Sequence, residues 1–454
     1  MPDAVTPIGG LALDDLHALS RQRLPRWRED EQALPRGNTC QQVGLRLSLK
    51  LRHHQGRAGP MDDGCTIGNR LRKIRDDRSW TQEELAERAG VSRDIIAKLE
   101  QGRRESARLT TLMKLANALD VDLSALTGKR DRMGGERDGA SVLKLRDALL
   151  SASLLPGADD GHDGEPTSPA DVRAAVDNAC RRYWAGDFPA LVARLPGLIA
   201  EARLSHAAYG AAAVYPLAMA YDLAASVMVH LGRDDLAAIG AERAITVAHG
   251  GDDELLWVTL HATYAWVLLH QARTREAEEL AAGMAARIEP SFSAPAAHVA
   301  AWGNLLMTAL APAAAGGREV EDYIAMASAG AERLGKRTPI YNTAFGPATV
   351  AMQATHAYTV RREPDKALNA ANRVRSGDLL GISYGRHLLD VAQAHLDARQ
   401  RQVAIERLQE AHTLSPVWFR HQGVARSLVA EIREQETRPS PSVRSLVRSL
   451  DLGR

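Results

Sequence analysis

The stretch SWTQEELAERAGVSRDIIAKLEQGRR, residues 79–104, decides the fold of the first part of this chain. Thr81 precedes Glu84 by three positions, which is the spacing of a capping box: the hydroxyl accepts a hydrogen bond from the Glu84 N–H, and the glutamate reaches back. A helix is therefore predicted over residues 82–88. Gly90 can adopt the left-handed conformation that ends it.

A second helix is predicted after a turn of about four residues. Ser92 is placed to cap the segment RDIIAKLEQ, in which Ile96 and Leu99 have the spacing of a core-facing pair, and Gly102 stops it. Two short helices joined by such a turn are typical of a helix-turn-helix unit. The inward-facing positions of the first helix are predicted to be Leu85, Ala86 and Ala89.

Residues 67–128 resemble the Cro/CI-type (XRE-family) DNA-binding domain. IGNRLRKIRDDRSWTQEELAERAGVSRDIIAKLEQGRR covers its first three helices, and LTTLMKLANALDVDLSALTG supplies the fourth and the start of the fifth. The resemblance implies a five-helix domain over residues 65–128 that binds double-stranded DNA.

The second helix of such a motif lies in the major groove with its N-terminal residues at base edges. Arg93, Asp94 and Lys98 are therefore the predicted base-reading residues. Arginine can bond guanine O6 and N7, whereas aspartate can only accept, for example from cytosine N4. The alternatives are a solvated helix face for the two basic residues and stabilisation of the helix N-terminus for Asp94. Contacts to DNA phosphates are predicted at Gln82, Ser92, Arg103 and Arg104.

The charge of this region is modest, because residues 67–108 hold eleven basic and eight acidic residues. One copy would bind DNA weakly, so a homodimer on two half-sites roughly 34 Å apart, reading a palindrome, is the expected working form. Glu100 is expected to be structural and to pair with Arg72 of the first helix, since a carboxylate facing phosphates would be repelled.

The composition is that of an ordinary globular protein, with 45% hydrophobic and 25% charged residues and a formal net charge of +1. A nucleic-acid surface must therefore be local. Three distant cysteines, Cys40, Cys65 and Cys180, include no C-x-x-C pair, so neither a disulfide framework nor a metal site is expected. No cofactor is predicted.

Targeting signals are not expected either. The N-terminus lacks the apolar core of a signal peptide. The run at residues 207–231 contains Pro216 and Asp222, which favours a buried helical hairpin over a membrane span. The predicted location is the cytoplasm, associated with the nucleoid when DNA is bound.

The flanking segments differ from the helical motif. Residues 1–64 are expected to be disordered, with Met61 as an alternative start. The alternative is a basic arm that touches DNA. Residues 129–170 are predicted to be a linker that lets the modules move and that carries a short helix at 141–155, and residues 437–454 a C-terminal tail. The basic residues of the arm are Arg46, Lys50, Arg52 and Arg57.

Residues 171–436 contain recurring pairs of Ala- and Leu-rich helices broken by short Gly, Pro or Asp turns. Such pairs stack into a solenoid, since each buries the face that its neighbour exposes. The pairs resemble tetratricopeptide repeats, although their spacing is nearer forty residues than thirty-four. The whole chain is therefore predicted to be all-α, and its architecture resembles that of actinobacterial XRE-family regulators with a tetratricopeptide-like domain.

The sequence does not favour an enzyme. GISYG at residues 381–385 fits G-x-S-x-G, but a nucleophile elbow needs a preceding buried strand. A glycine-rich loop between helices explains the motif better than a catalytic Ser383.

The repeat region could instead bind a peptide, a small molecule or a protein. Trp257 and Trp266 are expected in the core. Two functions stay open: a sequence-specific transcriptional regulator, and an interaction scaffold with only non-specific DNA affinity. The candidate groove residues are Asn304, Asn342, Arg386 and His387.

Overall fold

The computed structural model describes residues 66–104, 107–121, 123–127, 136–150, 165–436, 438–450 and 452. The predictions for residues 1–64, including the basic arm and the alternative start, lie outside these ranges. Apart from one two-stranded antiparallel hairpin, the regular elements of the described residues are helices. The predicted all-α fold is confirmed.

The first five helices form the helix-turn-helix domain around one hydrophobic core. The capping box at Thr81 and Glu84 is present with both of its hydrogen bonds, and Gly90 ends the second helix at φ 59°. Leu71, Leu85 and Ile96 are completely buried in the core. The helices are α1 Ile67–Asp77, α2 Gln82–Ala89, α3 Arg93–Glu100, α4 Leu109–Ala118 and α5 Leu123–Thr127.

The start of α3 differs from the prediction in one detail. Ser92 occupies the N-cap position, but its side chain makes no capping hydrogen bond. The Ile95 N–H bonds to the Ser92 carbonyl oxygen at 3.1 Å instead. This backbone bond satisfies a first-turn donor that the hydroxyl was expected to serve.

The predicted linker helix exists with shifted bounds. Helix α6 spans Glu136–Leu150, so it begins five residues before the predicted start at 141. Its buried side chains Val142, Leu145 and Leu149 join the core of the solenoid. This packing outweighs the cost of about 1 kcal/mol of Gly139 inside the helix.

The solenoid begins at residue 169 and is built from helix pairs. One member of each pair belongs to an inner layer formed by α7, α9, α11, α13, α15 and α17. The helices are α7 Pro169–Ala185, α8 Phe188–Tyr209, α9 Val214–His230, α10 Asp234–His249, α11 Glu254–His270, α12 Thr274–Arg287, α13 Ala296–Ala315, α14 Glu321–Leu334, α15 Pro347–Arg361, α16 Pro364–Ala371, α17 Gly381–Asp397, α18 Arg401–Leu414, α19 Pro416–Arg420, α20 Gly423–Glu434 and α21 Pro441–Ser449. A hairpin of β1 Thr338–Ile340 and β2 Thr343–Phe345 precedes α15.

The six inner helices form a closed ring. Each contacts the next inner helix, and α17 contacts α7. The inner helices begin at residues 169, 214, 254, 296, 347 and 381, a spacing wider than a strict thirty-four-residue repeat everywhere except the last step. The arrangement is a solenoid that completes one turn, and its likeness to tetratricopeptide repeats stays a prediction.

One described segment has the length and hydropathy of a membrane span. It covers Phe188–His230, and 89% of its most apolar window is buried inside the protein. Within it, a short 3₁₀ turn at Gly210–Ala213 separates α8 from α9. The run at residues 207–231 holds the exposed end of α8, this turn and the buried helix α9, so the predicted hairpin is formed by α8 and α9 and extends beyond the run.

The predicted C-terminal tail contains a packed helix. The Ser440 hydroxyl caps α21 by accepting from the Val443 N–H at 3.3 Å, and α21 packs on α18 and α20. Val443, Leu446 and Leu450 are buried. Their three- and four-residue spacing is that of an amphipathic helix, a signal that the surrounding Pro, Ser and Arg residues obscured.

Candidate functional site

Helix α3 presents three of its charged residues to solvent and buries its apolar face. Ile96 and Leu99 on the opposite face are 0% and 1% exposed and anchor the helix in the domain core. Arg93, Asp94 and Lys98 are all exposed to solvent. The structure therefore brings the three predicted base-reading residues together.

Each predicted base-reading residue takes part in an exposed ion pair. Arg93 Nε lies 2.6 Å from Glu83 Oε1 of α2, and Lys98 Nζ lies 2.7 Å from Asp94 Oδ2 one turn earlier. Such pairs contribute about 0–1 kcal/mol each at a surface. These side chains can therefore exchange their present partners for base edges at small cost.

A buried ion pair fixes α3 against α1. Arg75 Nε and Nη2 donate to the two carboxylate oxygens of Glu100 at 2.7 and 2.8 Å. Arg75 Nη1 also donates to the Trp80 carbonyl oxygen at 2.6 Å. The hydrogen bond to Glu100 raises the pKa of the Arg75 guanidinium above its ordinary value.

This pair corrects the prediction for Glu100. Its carboxylate is structural, as expected, but its partner is Arg75 and not Arg72. Arg75 lies one helical turn after Leu71 on the buried face of α1, whereas Arg72 points outward and pairs with Asp76 at 3.6 Å.

The predicted phosphate contacts fall into two groups. Ser92 and Arg103 are exposed on the domain surface. Gln82 is half-buried, and its Nε2 donates to Glu100 Oε2 at 2.8 Å. Arg104 is half-buried and, with Arg108, lines a small cleft against Gln393 and Glu431 of the solenoid. Gln82 and Arg104 were both predicted to contact DNA phosphates. In this arrangement Gln82 has a protein hydrogen-bond partner, and Arg104 lies beside the solenoid.

The helix-turn-helix domain is in contact with the solenoid. Arg108, the N-cap residue of α4, donates from Nη1 to Asp397 Oδ2 at 3.0 Å and from Nη2 to Oδ1. Leu269 and Ala272, at the end of α11, pack against the hydrophobic core of the helix-turn-helix domain. The modules that a linker was expected to separate thus share a junction, which the sequence did not indicate.

A cavity of about 320 Å³ lies inside the turn of the solenoid. All six inner helices contribute to its wall. Three of the predicted groove residues, Asn304, Asn342 and Arg386, line it, whereas His387 is buried and is not among the lining residues. Trp266, expected in the core, is half-buried and also lines the cavity.

The wall contains a carboxylate that the sequence analysis did not single out as a site residue. Asp222 on α9 is 6% exposed, and its Oδ1 makes no hydrogen bond. Burial raises the pKa of Asp222 to about 6, although a hydrogen bond with Thr263 acts in the opposite direction. A lone acid within an otherwise apolar helix was the available signal, and it served only as evidence against a membrane span.

A cationic group lines another part of the wall. Arg386 Nε makes no hydrogen bond, and it lies 3.9 Å from Asp390 Oδ2. Asp390 Oδ1 is 3.0 Å from His356 Nδ1. Burial raises the pKa of Asp390, but His356 and Arg386 outweigh it and bring the pKa below its ordinary value. Arg386 thus shares an ionised carboxylate with His356.

Two histidines of the inner helices have strongly lowered pKa values and stay neutral. Burial lowers the pKa of His230, which lines the cavity, to about 3, and burial together with Arg386 lowers that of His270 to about 4. His230 Nε2 is 3.2 Å from the Tyr183 hydroxyl. Uncharged histidines leave the charge of the wall to Asp222 and to the Arg386 group.

The ring of inner helices closes at Trp184. Its Nε1 donates to the Asn342 carbonyl oxygen at 2.8 Å and to the Asn342 side chain at 2.9 Å. Gly381 packs so closely that a Cβ there would lie 2.1 Å from the Trp184 carbonyl oxygen.

The G-x-S-x-G motif at residues 381–385 forms the start of α17, which begins at Gly381. The prediction that this motif is a loop between helices is wrong.

The local structure around Ser383 differs from a nucleophile elbow. Ser383 lines the cavity, but residues 372–380, which precede α17, form turns and contain no strand. Among the described residues, no group of three or more His, Cys, Asp or Glu side chains is placed to hold a metal ion.

Comparison with known proteins agrees with the geometry of the first domain. Residues 71–126 match the helix-turn-helix family HTH_3. An uncharacterised HTH-type transcriptional regulator, y4dJ of Sinorhizobium fredii, is 38% identical over 61 residues, which are 13% of this chain and 78% of that protein. This chain belongs to the helix-turn-helix family of transcriptional regulators.

Two further relatives are similar to part of this chain. The immunity repressor protein of Bacillus phage phi105 is 41% identical over 64 residues, 14% of this chain, and the chain spans 44% of the repressor's length. The HTH-type transcriptional regulator SinR of Bacillus licheniformis is 29% identical over 87 residues, 19% of this chain and 78% of SinR.

One solved structure aligns with this chain at low similarity. BtubC (BKLC) from P. vanneervenii aligns at 13% identity and a TM-score of 0.31, covering 61% of this chain and 95% of that one. A likeness this low carries no argument about function.

Proposed function

We propose that this protein is a cytoplasmic, sequence-specific transcriptional regulator that binds DNA as a dimer and senses a ligand in its solenoid. The observation that carries the proposal is the exposed face of α3. Arg93, Asp94 and Lys98 stand together on a helix whose other face is fixed by the domain core and by the Arg75–Glu100 pair. A rigid helix with exposed polar residues at its N-terminus is what major-groove recognition requires.

Each residue of the face has a distinct role in the proposal. Arg93 bonds guanine O6 and N7, Asp94 accepts from cytosine N4, and Lys98 contacts a base one turn further on. Arg103 and the Ser92 hydroxyl contact the flanking phosphates, and these contacts position the helix without discriminating between sequences.

Dimerisation compensates for the modest charge of one domain. A surplus of three basic residues over positions 67–108 supports only weak binding by a single copy. Two copies on half-sites about 34 Å apart combine their affinities and select a palindrome. Helix α6 still exposes Leu143 and Leu150 after packing on the solenoid, which is consistent with an interface there.

The solenoid couples its cavity to DNA binding through α11 and α17. Helix α11 contributes Leu269, which both lines the cavity and packs on the DNA-binding domain. Helix α17 places Arg386 at the cavity and ends at Asp397, the partner of Arg108. A ligand that moves either helix shifts the junction, and so it favours or disfavours the DNA-binding arrangement. The protein is a binding protein and not an enzyme.

The alternative is an interaction scaffold with only non-specific DNA affinity. The observation that favours it is the pairing of Arg93 with Glu83 and of Lys98 with Asp94, which lowers the net charge of the reading face. Selection of genomic fragments by the full chain separates the two functions. The regulator enriches a palindromic motif, and the variant Arg93→Ala, Lys98→Ala loses it.

A control for charge removal accompanies this selection. The variant Arg194→Ala, Lys336→Ala removes the same charge from exposed positions outside the DNA-binding domain and away from α6, and it must keep the motif. Uniform recovery of fragments by the wild type, which disappears as salt rises, would support the scaffold.

A further inference from the structure

The wall of the cavity contains a buried carboxylate, Asp222, whose hydrogen bonding is incomplete. Asp222 is more than nine-tenths buried, it lines the cavity, and one of its oxygens has no hydrogen-bond partner. Buried polar atoms in folded proteins nearly always have a partner, since leaving one unsatisfied costs about 1–3 kcal/mol. An unpartnered carboxylate oxygen beside an open volume therefore indicates that a donor from a bound molecule completes it.

The surfaces around the carboxylate suit a cation with an apolar body. Trp184, Trp266, Tyr341 and Trp418 line the same cavity. Aromatic faces attract ammonium groups, most strongly where water is excluded. Apolar contacts for the rest of a ligand come from Met219, Leu256, Leu260, Met307 and Ile382.

We infer that the cavity is the binding site for a small amphipathic amine whose ammonium group donates to Asp222. The inference rests on the proposed function, because it names the class of ligand that the solenoid senses. The Arg386 guanidinium and the Asn304 side chain, which face the cavity, bind oxygen atoms that the molecule carries elsewhere. The apolar body lies among the aromatic side chains.

The volume of the cavity and the side chains in its wall disfavour peptides, metal ions and anions as ligands. A volume of about 320 Å³ is at the low end of small-molecule cavities, which disfavours a long peptide. A divalent metal ion needs several oxygen ligands, and the described residues offer no group of three or more acidic, His or Cys side chains for one. An anionic ligand would meet the Asp222 carboxylate.

Binding of tryptamine to the full chain tests the inference. Calorimetric titration near neutral pH compares tryptamine with N-acetyltryptamine, which has no charge, and with indole-3-acetate, which has the opposite charge. We expect tryptamine to bind at least about tenfold more tightly than either, since a charged hydrogen bond contributes about 1.5–3 kcal/mol. Asp222→Asn should weaken tryptamine binding by a similar factor.

A matched variant controls for general effects of removing an acid. Asp235→Asn changes an exposed acid on the adjacent α10 and should leave tryptamine binding unchanged. Thermal unfolding of both variants establishes that they fold. The inference is overturned if Asp222→Asn binds tryptamine as tightly as the wild type or if indole-3-acetate binds best. It is also overturned if tryptamine, phenethylamine and cyclohexylamine all fail to bind at millimolar concentration.

The result is separable from the proposed function. The Arg93→Ala, Lys98→Ala variant should bind tryptamine like the wild type, because its changes lie on the DNA-binding face. Amine binding without an enriched DNA motif would contradict the regulator and support the cavity assignment. An enriched DNA motif without amine binding would support the regulator and contradict the cavity assignment.

Discussion

The guanidinium of Arg108 is bonded through two nitrogens to the carboxylate of Asp397, so the first residue before α4 is tied to the last residue of α17. The two side chains are 19% and 12% exposed. Gln393 Nε2 also donates to Asp397 Oδ1 at 3.1 Å. Since α17 lines the cavity earlier along its length, this contact places the DNA-binding domain at the end of a cavity-lining helix.

Asp397→Asn should loosen the junction. Losing a partly buried charged pair costs about 1.5–3 kcal/mol, so local opening becomes more frequent. Hydrogen–deuterium exchange in α4 and around Leu269 should increase about tenfold or more. Asp147→Asn, which breaks an exposed pair with Arg146, serves as the control. Unchanged exchange in Asp397→Asn would show that the contact does not hold the domains together.

The junction also shows what the sequence could not supply. Thr81, Glu84 and Gly90 act on backbone within a few residues, so their pattern predicted the helix-turn-helix motif correctly. Arg108 and Asp397 are 289 positions apart, and no local pattern connects them. Pairing over such distances depends on the curvature of the whole solenoid.

The same contrast between local and long-range features applies to the candidate site. Arg93, Asp94 and Lys98 were predicted from their places at the start of the second helix of the motif and one turn further on, which local sequence alone defines. The cavity exists only because six inner helices complete a turn. Polarity and an expected concave surface were enough to nominate Asn304, Asn342 and Arg386, but not to recognise Asp222.

Removing Glu100 should destabilise the DNA-binding domain. Glu100→Ala leaves the buried Arg75 guanidinium without its carboxylate, which costs about 3 kcal/mol. Hydrogen–deuterium exchange in α1–α3 should increase accordingly. Arg72→Ala, which removes only a surface partner of Asp76, should change it little. Equal effects of the two variants would contradict the assignment of Arg75 as the partner.

Asp222→Asn should change how stability depends on pH. The pKa of Asp222 is about 6 in the folded protein, above its ordinary value of 3.8. Its protonated form therefore favours folding below about pH 4, and this contribution is lost as pH rises through about 6. Relative to the wild type, the variant should gain on the order of 2–3 kcal/mol of unfolding free energy between about pH 4 and pH 7.5.

Urea unfolding across this pH range measures the difference. The groups that face Asp222 do not titrate in the same interval: burial raises the pKa of Cys180 to about 12 and raises that of Tyr183 above its ordinary value, and Thr263 has no charge. A pH-independent difference between variant and wild type would mean that Asp222 is solvated in the folded protein.

Arg103→Ala should weaken binding to every DNA sequence alike. Arg103 is exposed just after α3, where it faces no base in the proposed arrangement. Losing one phosphate contact per domain, and so two per dimer, reduces the magnitude of the slope of log K against log salt by about two units. Fluorescence anisotropy on a selected duplex and on a scrambled duplex checks this. A loss confined to the selected duplex would instead assign Arg103 to base recognition.

The measurement that tests the account most directly is the ratio of affinities for a selected operator and a scrambled duplex at physiological salt. For the full-length wild type we predict a ratio of about 10³ or more. Arg93→Ala should lower this ratio by a factor that corresponds to about 1–3 kcal/mol of binding free energy per half-site, mainly through weaker operator binding. A wild-type ratio near one, or a ratio that Arg93→Ala leaves unchanged, would contradict base reading by α3.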